Sequence, residues 1–344
     1  MKRKDCSFLV CINADFFSQK LFDFLNLSIL TLIKVIRNKS IKLLIVDITQ
    51  LEVEEQIKRQ IRDANKELQI LLNTTPGRFI KTQINYSLNV HTLNNLKNFK
   101  KFLKDTKATV ISSDKVNFKE MLTLDFKLQS SYSTKVKAEH CRTGMCLSLK
   151  NHAQENNQSI YMISKDQDII KFCEANTNLF RQSNSLEEFL DIINKENSNY
   201  QLIKEYAKSQ INDIKYRVTA EIINHPYFLI TNYSDVSIDE KLIKNIPFEE
   251  INVIYLDKNI AEISINFKVE LLINFTYVSD ETTFSEDKNN YFNNYKKNSF
   301  EIDKHIPIYI TLNFVDIQNI KIKKIHIQQL DDVLEYYEYC HINK

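Results

Sequence analysis

Continuous apolar runs alternate with amphipathic stretches through residues 1–195, and this alternation limits the possible folds more than any other feature of the sequence. The apolar runs, which predict buried strands, are residues 8–12, 43–48, 108–111 and 160–164. The stretches with helical periodicity are residues 21–36, 51–72, 93–103, 144–153 and 186–193. Strands separated by helices are typical of α/β proteins, so we expect a parallel sheet sandwiched by helices over residues 1–197.

A period of two replaces the helical period in the second part of the chain, residues 198–344. Apolar residues alternate with mainly polar ones from position 263 to 277 and again from 306 to 314, which predicts two half-buried strands. We therefore expect an antiparallel β domain, with a bridging helix at its start and a terminal helix at residues 328–339. Residues 279–298 are polar and dotted with aromatic side chains, so we expect a long loop there.

Composition argues against several classes of protein. The chain has only two glycines, Gly77 and Gly144, whereas P-loops and dinucleotide-binding turns need several glycines close together. Its six cysteines form no Cys-x-x-Cys pair and no zinc-ligand spacing, so we expect reduced thiols. No apolar run reaches the ~18 residues of a membrane span, and the apolar stretch after the basic first residues is too short for a signal peptide. We expect a cytoplasmic protein without membrane contact.

Charge is distributed unevenly along the chain. Residues 1–200 carry 30 Lys and Arg against 22 Asp and Glu, a net charge of +8, whereas residues 201–344 carry 16 against 22, a net charge of −6. A basic first part permits a polyanion such as RNA as partner, and an acidic second part would cover or repel it. Ordinary surface charge explains the same split without any partner.

Four short segments stand at the ends of predicted strands or at the starts of the helices beyond them: residues 11–17, 47–53, 137–143 and 160–168. The first reads Cys-Ile-Asn-Ala-Asp-Phe-Phe, and the last is a buried strand running into Ser-Lys-Asp-Gln-Asp. In order and spacing the segments resemble those of the PIN domain family, Mg²⁺- or Mn²⁺-dependent nucleases that act mostly on RNA. The resemblance covers residues 6–195 and implies acidic residues at the C-terminal edge of a PIN-like sheet. The β-rich second part resembles the tail of one large branch of PIN-like proteins.

The resemblance implies a divalent-metal site. Mg²⁺ and Mn²⁺ prefer oxygen ligands and activate water for attack on a phosphodiester, so such a site needs several carboxylates from distant points of the sequence. The positions that match the family's acidic residues, and that would serve as catalytic residues and metal ligands, are Glu52, Glu139, Asp166 and Asp168.

Two positions that are acidic in the family pattern carry other residues in this chain. Asn13 stands where the first metal-binding Asp is expected, and Asp15 stands where the family has Asn. Arg142 replaces the third Asp. A fixed positive charge ~6 Å from a divalent ion would cost roughly 5 kcal/mol at an effective dielectric constant of ~20, unless the long side chain turns away. Contact with phosphate is an alternative role for its guanidinium group.

Local structural roles explain some of the same residues. Thr49 and Glu52 have the spacing of a capping box at a helix N-terminus, which is as good a role for Glu52 as that of a metal ligand. Asp166, in the sequence Ser-Lys-Asp, is also typical of a helix N-cap. His140 and Cys141 lack the second ligand pair that a zinc site requires. Glu52 and Asp166 therefore keep a structural explanation beside the functional one.

Two functions remain open. In the first, the protein acts on RNA as a divalent-metal-dependent endoribonuclease with a weakened or lost catalytic centre, for example as a toxin or defence effector. In the second, a non-catalytic module binds nucleic acid or protein, and the C-terminal β domain mediates a homodimer or another protein contact. Both predict that five residues converge where the C-terminal ends of parallel strands meet. These residues are Asn13, Glu52, Glu139, Arg142 and Asp166.

Overall fold

The computed structural model of the chain describes residues 8–19, 22–38, 41–73, 88–128, 136–225, 227–231, 234–285, 290–314, 319–327 and 333–336. These residues belong to two compact units, Met1–Phe189 and Leu190–Lys344. The domain boundary expected from the sequence, after residue 197, stays a prediction.

A five-stranded parallel sheet forms the centre of the first unit. Its strands are β1 (Phe8–Ile12), β2 (Ile41–Val46), β3 (Thr109–Ile111), β4 (Ile160–Ile163) and β5 (Phe180–Ser183). They lie in the order β3-β2-β1-β4-β5, and every neighbouring pair is parallel. Strands β1, β2 and β4 are buried along nearly their whole length, as expected of a sheet covered on both faces. The predicted α/β fold is confirmed.

Helices connect these strands, and three of them begin at the C-terminal edge of the sheet. The described helices that begin in this unit are α1 (Ala14–Gln19), α2 (Leu27–Asn38), α3 (Asp47–Asn73), α4 (Leu88–Asp105), α5 (Phe118–Leu128), α6 (Val136–Asn156), α7 (Gln167–Ala175) and α8 (Leu186–Asn194). Helices α1, α3 and α7 follow β1, β2 and β4 after at most three residues, so their first turns meet at the edge where open α/β sheets place their sites. None of the described helices of the chain is long and apolar enough to cross a membrane.

Four phenylalanine rings hold α1, α4 and the turn before α2 together. Phe17 of α1 contacts Phe99 and Phe102 of α4 edge-on, with ring centroids 5.7 and 5.6 Å apart. Phe24 contacts the same two rings at 5.8 and 5.9 Å. All four rings are buried, and ring pairs of this kind contribute about 0.5–1.5 kcal/mol each beyond their burial. Since α4 turns this face to the core, its opposite face is exposed to solvent.

Three buried cysteines lie in the core behind the C-terminal edge. Cys11, Cys146 and Cys173 are free thiols in one apolar cluster. Burial raises the pKa of Cys11 and of Cys173 to about 12, so both thiols stay protonated. Reduced core thiols are what the sequence predicts; Cys6 and Cys340 lie outside the described residues.

The second unit is an antiparallel sheet preceded by two helices, α9 (Tyr200–Ser209) and α10 (Ile211–Asn224). Its strands are β6 (Phe228–Thr231), β7 (Ser234–Asn245), β8 (Phe248–Leu256), β9 (Ile260–Ser285), β10 (Asn290–Phe314), β11 (Ile320–Ile327) and β12 (Val333–Tyr336). The main sheet has the order β11-β10-β9-β7, with β8 also paired to β9, and β6 pairs with β12 separately. The predicted antiparallel β-rich region is confirmed.

The long hairpin of β9 and β10 supplies most of this unit's core. Side chains at every second position from 261 to 275 are buried, as are those at positions 306, 308, 310, 312 and 314. Except for Phe275, they join the buried sides of α9 and α10, including Ile203, Ile214 and Val218, in one cluster. The apolar residues that alternate in the sequence are therefore the residues that form the core.

The predicted loop over residues 279–298 is wrong where the structure describes it. Strand β9 continues to Ser285 and β10 starts at Asn290, so the two strands extend the hairpin over residues 279–285 and 290–298. Residues 286–289 lie outside the described residues. Residues with a preference for strands, such as Thr283 and Tyr291, support the extended conformation despite the polar composition.

The predicted terminal helix at residues 328–339 is also wrong where the structure describes it. Val333–Tyr336 form β12, which pairs in parallel with Phe228–Thr231. Residues 328–332 and 337–344 lie outside the described residues. Hydrogen bonding to a distant strand outweighs a helical periodicity that spans only three turns.

Two side chains of α8 close the outer edge of β8. Asp191 accepts a hydrogen bond from the backbone N–H of Val253 at 2.8 Å, and Asn194 donates one to the carbonyl of Val253 at 2.9 Å. The hydroxyl of Tyr200 donates to Asp191 at 2.8 Å. All three side chains are buried, so they satisfy the backbone groups of Val253 that water or a neighbouring strand would otherwise bind at this edge.

Candidate functional site

Asn13 occupies the junction between β1 and α1 and caps that helix. Its Oδ1 atom accepts a hydrogen bond from the backbone N–H of Phe16 at 3.2 Å. Its amide group donates to Ser164 Oγ at 3.2 Å and to Asp15 Oδ2 at 3.3 Å. Asn13 is only 5% exposed, so these bonds satisfy it away from water. The oxygen that a cation would need is engaged in capping.

Ser164 joins the ends of β1 and β4, and it is not among the residues predicted from the sequence. Its hydroxyl oxygen accepts hydrogen bonds from the amide of Asn13 at 3.2 Å and from the backbone N–H of Asp166 at 3.0 Å. A serine directly after a buried strand and two residues before an aspartate is the signal that identifies such a turn. Ser164 therefore positions both Asn13 and Asp166.

Asp166 is the N-cap of α7. Its Oδ1 atom accepts hydrogen bonds from the backbone N–H groups of Asp168 at 2.9 Å and Ile169 at 3.3 Å. The extended backbone of Asp166 is the usual conformation of an N-cap residue. The capping role that the sequence predicts for Asp166 is confirmed, and it commits one of the two carboxylate oxygens to the helix.

Arg142 of α6 binds both aspartates at the start of α7. Its Nη2 atom lies 2.9 Å from Asp166 Oδ2, and its Nη1 atom lies 2.9 Å from Asp168 Oδ2. The side chains of Arg142, Asp166 and Asp168 are 23%, 15% and 31% exposed, so water screens these contacts only in part. The arginine does not turn away from the acidic edge. Because each terminal nitrogen of its planar group binds a different aspartate, the guanidinium group bridges Asp166 and Asp168.

Gly144 allows α6 to approach the first turn of α3. A methyl group at this position would lie 3.0 Å from Cδ1 of Ile48, closer than ordinary van der Waals contact. The residue two positions before it on α6 is Arg142. The close approach of the two helices thus carries the guanidinium group towards the acidic residues of α3.

Asp47 fixes the start of α3. Its carboxylate accepts hydrogen bonds from the backbone N–H groups of Ile48 at 2.7 Å and of Ser113, beyond β3, at 3.0 Å. Burial favours protonation of Asp47, but the hydrogen bonds outweigh it and lower the pKa of this carboxyl. Since α3 begins at Asp47, Thr49 lies inside the first turn. The capping box predicted for Thr49 and Glu52 is wrong.

Glu52 lies in the second turn of α3 and accepts a hydrogen bond from Gln56 at 3.2 Å. Burial, followed by the negative charge of Asp15, raises the pKa of Glu52, although Arg142 acts in the opposite direction. Burial, followed by the charge of Asp166, likewise raises the pKa of Asp15. Asp15, Glu52, Asp166 and Arg142 therefore form one electrostatic cluster.

Four of the five residues predicted to converge do so: Asn13, Glu52, Arg142 and Asp166. The fifth, Glu139, lies in the first turn of α6, and its side chain is outside the described part of the chain. The neighbouring Cys141 belongs to no group of three His, Cys, Asp or Glu side chains that could hold a metal ion among the described residues. Burial, and then the charge of Glu52, raises the pKa of the Cys141 thiol.

The donor set does not fit a divalent cation. Arg142 occupies one oxygen each of Asp166 and Asp168, the N-terminus of α7 occupies the other oxygen of Asp166, and Asn13 brings no charge. Among the residues that the structure describes, no three His, Cys, Asp or Glu side chains form a group that could hold a metal ion. A guanidinium group stands where a metal would need free carboxylate oxygens.

The raised pKa values of Asp15 and Glu52 lead to a stability prediction. A carboxyl group whose pKa is higher in the folded state stabilises the fold below its unfolded pKa of about 4, and this contribution is lost as the pH rises through the folded pKa. At pH 7 an ionised Glu52 therefore opposes folding. Glu52 is only partly buried, so water screens its charge, and Glu52→Gln should raise the free energy of unfolding at pH 7 by about 0.5–1 kcal/mol; the gain should disappear near pH 4. Glutamine also brings a donor, which the buried Oε1 of Gln56 lacks among the described residues.

Urea denaturation at the two pH values measures this effect, and Glu55→Gln is the matched control. Glu55 lies on the exposed side of α3, and its hydrogen bond and ion pair with Lys58 lower its pKa. Its replacement should therefore give no gain at pH 7. Equal effects of the two substitutions would show that burial and the charge of Asp15 do not make the ionised form of Glu52 unfavourable in the fold.

Comparison with known proteins supports the assignment that this geometry suggests. Residues 10–169 match the family model of the PIN domain, a nuclease-like fold associated with nucleic acids that typically uses divalent metals. The matched residues include the last three residues of β1, the whole of β2, β3 and β4, and every member of the electrostatic cluster. No curated protein and no solved structure gives a significant match. The first unit of this chain is therefore a PIN-like nuclease domain, and an antiparallel β-rich region follows it.

Proposed function

We propose that this PIN-like domain binds RNA without hydrolysing it, because Arg142 takes the place of the catalytic cation. The observation that carries the proposal is the pair of 2.9 Å contacts from one guanidinium group to Asp166 and Asp168. A metal-dependent nuclease needs such carboxylates to hold the ion that activates water. Paired with an arginine, they offer a metal ion little negative charge and few free oxygens.

The contacts of Arg142 with Asp166 and Asp168 make it unfavourable for a metal ion to displace the arginine. Breaking a fully buried ion pair costs about 3–5 kcal/mol, and partial exposure of these side chains reduces the figure to roughly 1–3 kcal/mol. A divalent ion would have to supply this energy before gaining its ligands. It would also meet the displaced positive charge nearby, which costs further energy.

RNA is the favoured ligand for two reasons. The PIN domain is a fold associated with nucleic acids, and residues 1–200 carry a net charge of +8. A basic domain gains affinity for polyanions by releasing their counterions. Residues 201–344 carry a net charge of −6, so we expect them to contribute little to RNA binding.

An active Mg²⁺- or Mn²⁺-dependent endoribonuclease, serving for example as a toxin or defence effector, is the second candidate. The observation that favours it is the crowding of Asp15 and Glu52, since carboxylates with raised pKa values in one cleft are typical of metal and catalytic sites. In this reading Glu52, Glu139, Asp166 and Asp168 remain the ligands and the arginine moves aside. Glu139 would have to compensate for the missing charge of Asn13.

Titration with Mn²⁺ and assays on single-stranded RNA separate the two candidates. For the wild-type protein we expect no heat of Mn²⁺ binding, an increase in the anisotropy of labelled RNA, and no cleavage of that RNA. Asp166→Asn is the control, since asparagine preserves the N-cap of α7 but removes a ligand. Cleavage by the wild type that Asp166→Asn abolishes would overturn the proposal. Absence of RNA binding at 50 mM salt, where phosphate contacts are strong, would overturn it as well.

A homodimer or another protein contact through the second unit is a separate proposal. Strand β9 pairs with β7 as far as Val278, which lies opposite Ser234. From there to Ser285 it pairs only with β10 among the described residues, so this end of the hairpin is a two-stranded extension. Such ribbons are marginally stable alone and gain from a partner. Sedimentation velocity over a range of protein concentrations tests it, and a monomer at every concentration would exclude the homodimer.

A further inference from the structure

We propose that RNA is held by one face of α4, formed by Lys97, Lys100, Lys101 and Lys104, and not by the edge of the sheet that carries Arg142. We call these four residues the basic face. The inference rests on RNA binding as the proposed function and assigns the surface that performs it. The ligand is the phosphate backbone of a single strand, which four ammonium groups contact without reading its sequence.

The geometry of α4 separates its charges from its core contacts. Each basic-face lysine lies three or four positions from two of the others, so the four lie on one side of the helix within about 10 Å along its axis. The opposite side carries Phe99 and Phe102, which are 0% and 2% exposed. All four lysines are exposed, and within the described residues no ion pair engages any of their amines. Within the described part of the chain, the four charges are therefore available to a ligand.

Helix α3, which packs against α4, differs from it because two of its lysines form ion pairs with acidic residues of the same helix. Lys58 of α3 lies 2.6 Å from Glu55, and a second lysine of α3 pairs with an aspartate at the same spacing. By contrast, the only acidic residue of α4 is Asp105, and it pairs with Arg37. Like charges three or four positions apart disfavour a helix, so a face selected only for solvation would mix the two signs. Uniform positive charge indicates a polyanionic ligand.

The acidic edge of the sheet is a poor place for a phosphate group. Asp15, Glu52, Asp166 and Asp168 surround a single guanidinium group. Two carboxylates already engage that group, and its single positive charge is outnumbered by the four acidic side chains around it. A phosphate near it would meet more negative than positive charge. RNA binding therefore needs another surface.

Single-stranded RNA fits the basic face better than an anionic membrane. A helix that binds a membrane surface inserts an apolar face between the lipids, but the apolar face of α4 is buried in the protein core. The exposed residues beside the lysines include Asn94 and Asn98, which supply hydrogen bonds to a sugar–phosphate backbone. Leu93 is the exposed apolar residue of this face, at 54%.

Fluorescence anisotropy with labelled single-stranded RNA between 50 and 200 mM salt tests the proposal with the full-length protein. Four phosphate contacts contribute about 3 to the slope of log affinity against log salt, which is an affinity loss of roughly 50-fold over this range. The variant with Lys97→Gln, Lys100→Gln, Lys101→Gln and Lys104→Gln should lose this part of the slope. It should also bind at least about tenfold more weakly at 50 mM salt. Circular dichroism confirms that α4 remains folded.

The matched control removes four lysines from the second unit, by Lys208→Gln, Lys258→Gln, Lys321→Gln and Lys323→Gln. All four are exposed, and the control has the same net charge as the test variant. It should keep the affinity and slope of the wild type. Equal losses in both variants, or a loss with Arg142→Gln but not with the test variant, would overturn the basic face while leaving RNA binding intact. Failure of the wild type to bind RNA would remove the proposed function itself. Binding to phosphatidylserine vesicles in place of RNA would overturn the choice of ligand.

Discussion

Replacing Asn13 and Arg142 together with aspartate should give this protein Mn²⁺-dependent RNA cleavage at least ~100-fold above the wild type, since a single electrostatic stabiliser of a transition state contributes ~10²–10³ in rate. The two substitutions shift the site by three charge units towards what a divalent ion needs. They also release the oxygens of Asp166 and Asp168 that Arg142 holds at 2.9 Å.

The surrounding structure can accept both changes. Aspartate is as good an N-cap as asparagine, so position 13 can still accept the backbone N–H of Phe16. The hydroxyl of Ser164 can rotate and donate to the new carboxylate, because it remains an acceptor for Asp166. Without metal, however, the added carboxylates repel Asp15 and Glu52. The double variant should therefore be less stable than the wild type until Mn²⁺ is added.

Cleavage of labelled single-stranded RNA and thermal melting with and without Mn²⁺ measure the two effects. We expect Mn²⁺ to raise the melting temperature of the double variant and not that of the wild type. Either single substitution should do little, because neighbouring ligands act together. Asp166→Asn added to the double variant should abolish the cleavage. A folded double variant with neither cleavage nor stabilisation by Mn²⁺ would contradict the idea that Arg142 replaces a metal.

The strand ends are the part of this site that the sequence predicts well. Asn13 and Asp166 each follow an apolar run that ends sharply, so their place at the sheet edge can be read from local pattern alone. The contacts of Arg142 cannot be read in this way. They depend on how closely α6 approaches α3, which is set by Gly144 and Ile48 nearly 100 positions apart in the sequence. The role of Ser164 is not predictable from local pattern, because it depends on hydrogen bonds from the side chain of Asn13, which is distant in the sequence, and from the backbone of Asp166.

The second unit shows the same limit of local pattern. Its core strands are predictable, because alternation is unambiguous where one face is buried, as around Phe267. The hairpin extension to Ser285 and the strand at Val333–Tyr336 are stabilised by pairing with other segments. Their own side chains are polar or helix-compatible, so the tertiary partner decides their conformation.

Asp191→Ala should destabilise the second unit by about 3 kcal/mol or more. The carboxylate of Asp191 is the acceptor for two buried donors, the backbone N–H of Val253 at 2.8 Å and the hydroxyl of Tyr200 at 2.8 Å. A buried donor left without an acceptor costs about 1–3 kcal/mol, and the two losses add to the removal of an ion pair with Lys204. Burial, and then the hydrogen bond to Asp191, raises the pKa of Tyr200, so its phenol remains a donor at neutral pH.

Hydrogen exchange of peptides that cover β8 measures this loss, because the outer edge of that strand opens when Val253 loses its partner. A destabilisation of about 3 kcal/mol corresponds to roughly 100-fold faster exchange through local opening. Asp191→Asn keeps an acceptor for Val253 but loses the charge, so its effect should be intermediate. The control is Asp213→Ala, which removes an exposed ion pair with Arg217 and should change the free energy of unfolding by less than about 0.5 kcal/mol. Equal exchange rates in Asp191→Ala and Asp213→Ala would mean that water replaces the carboxylate at this edge without penalty.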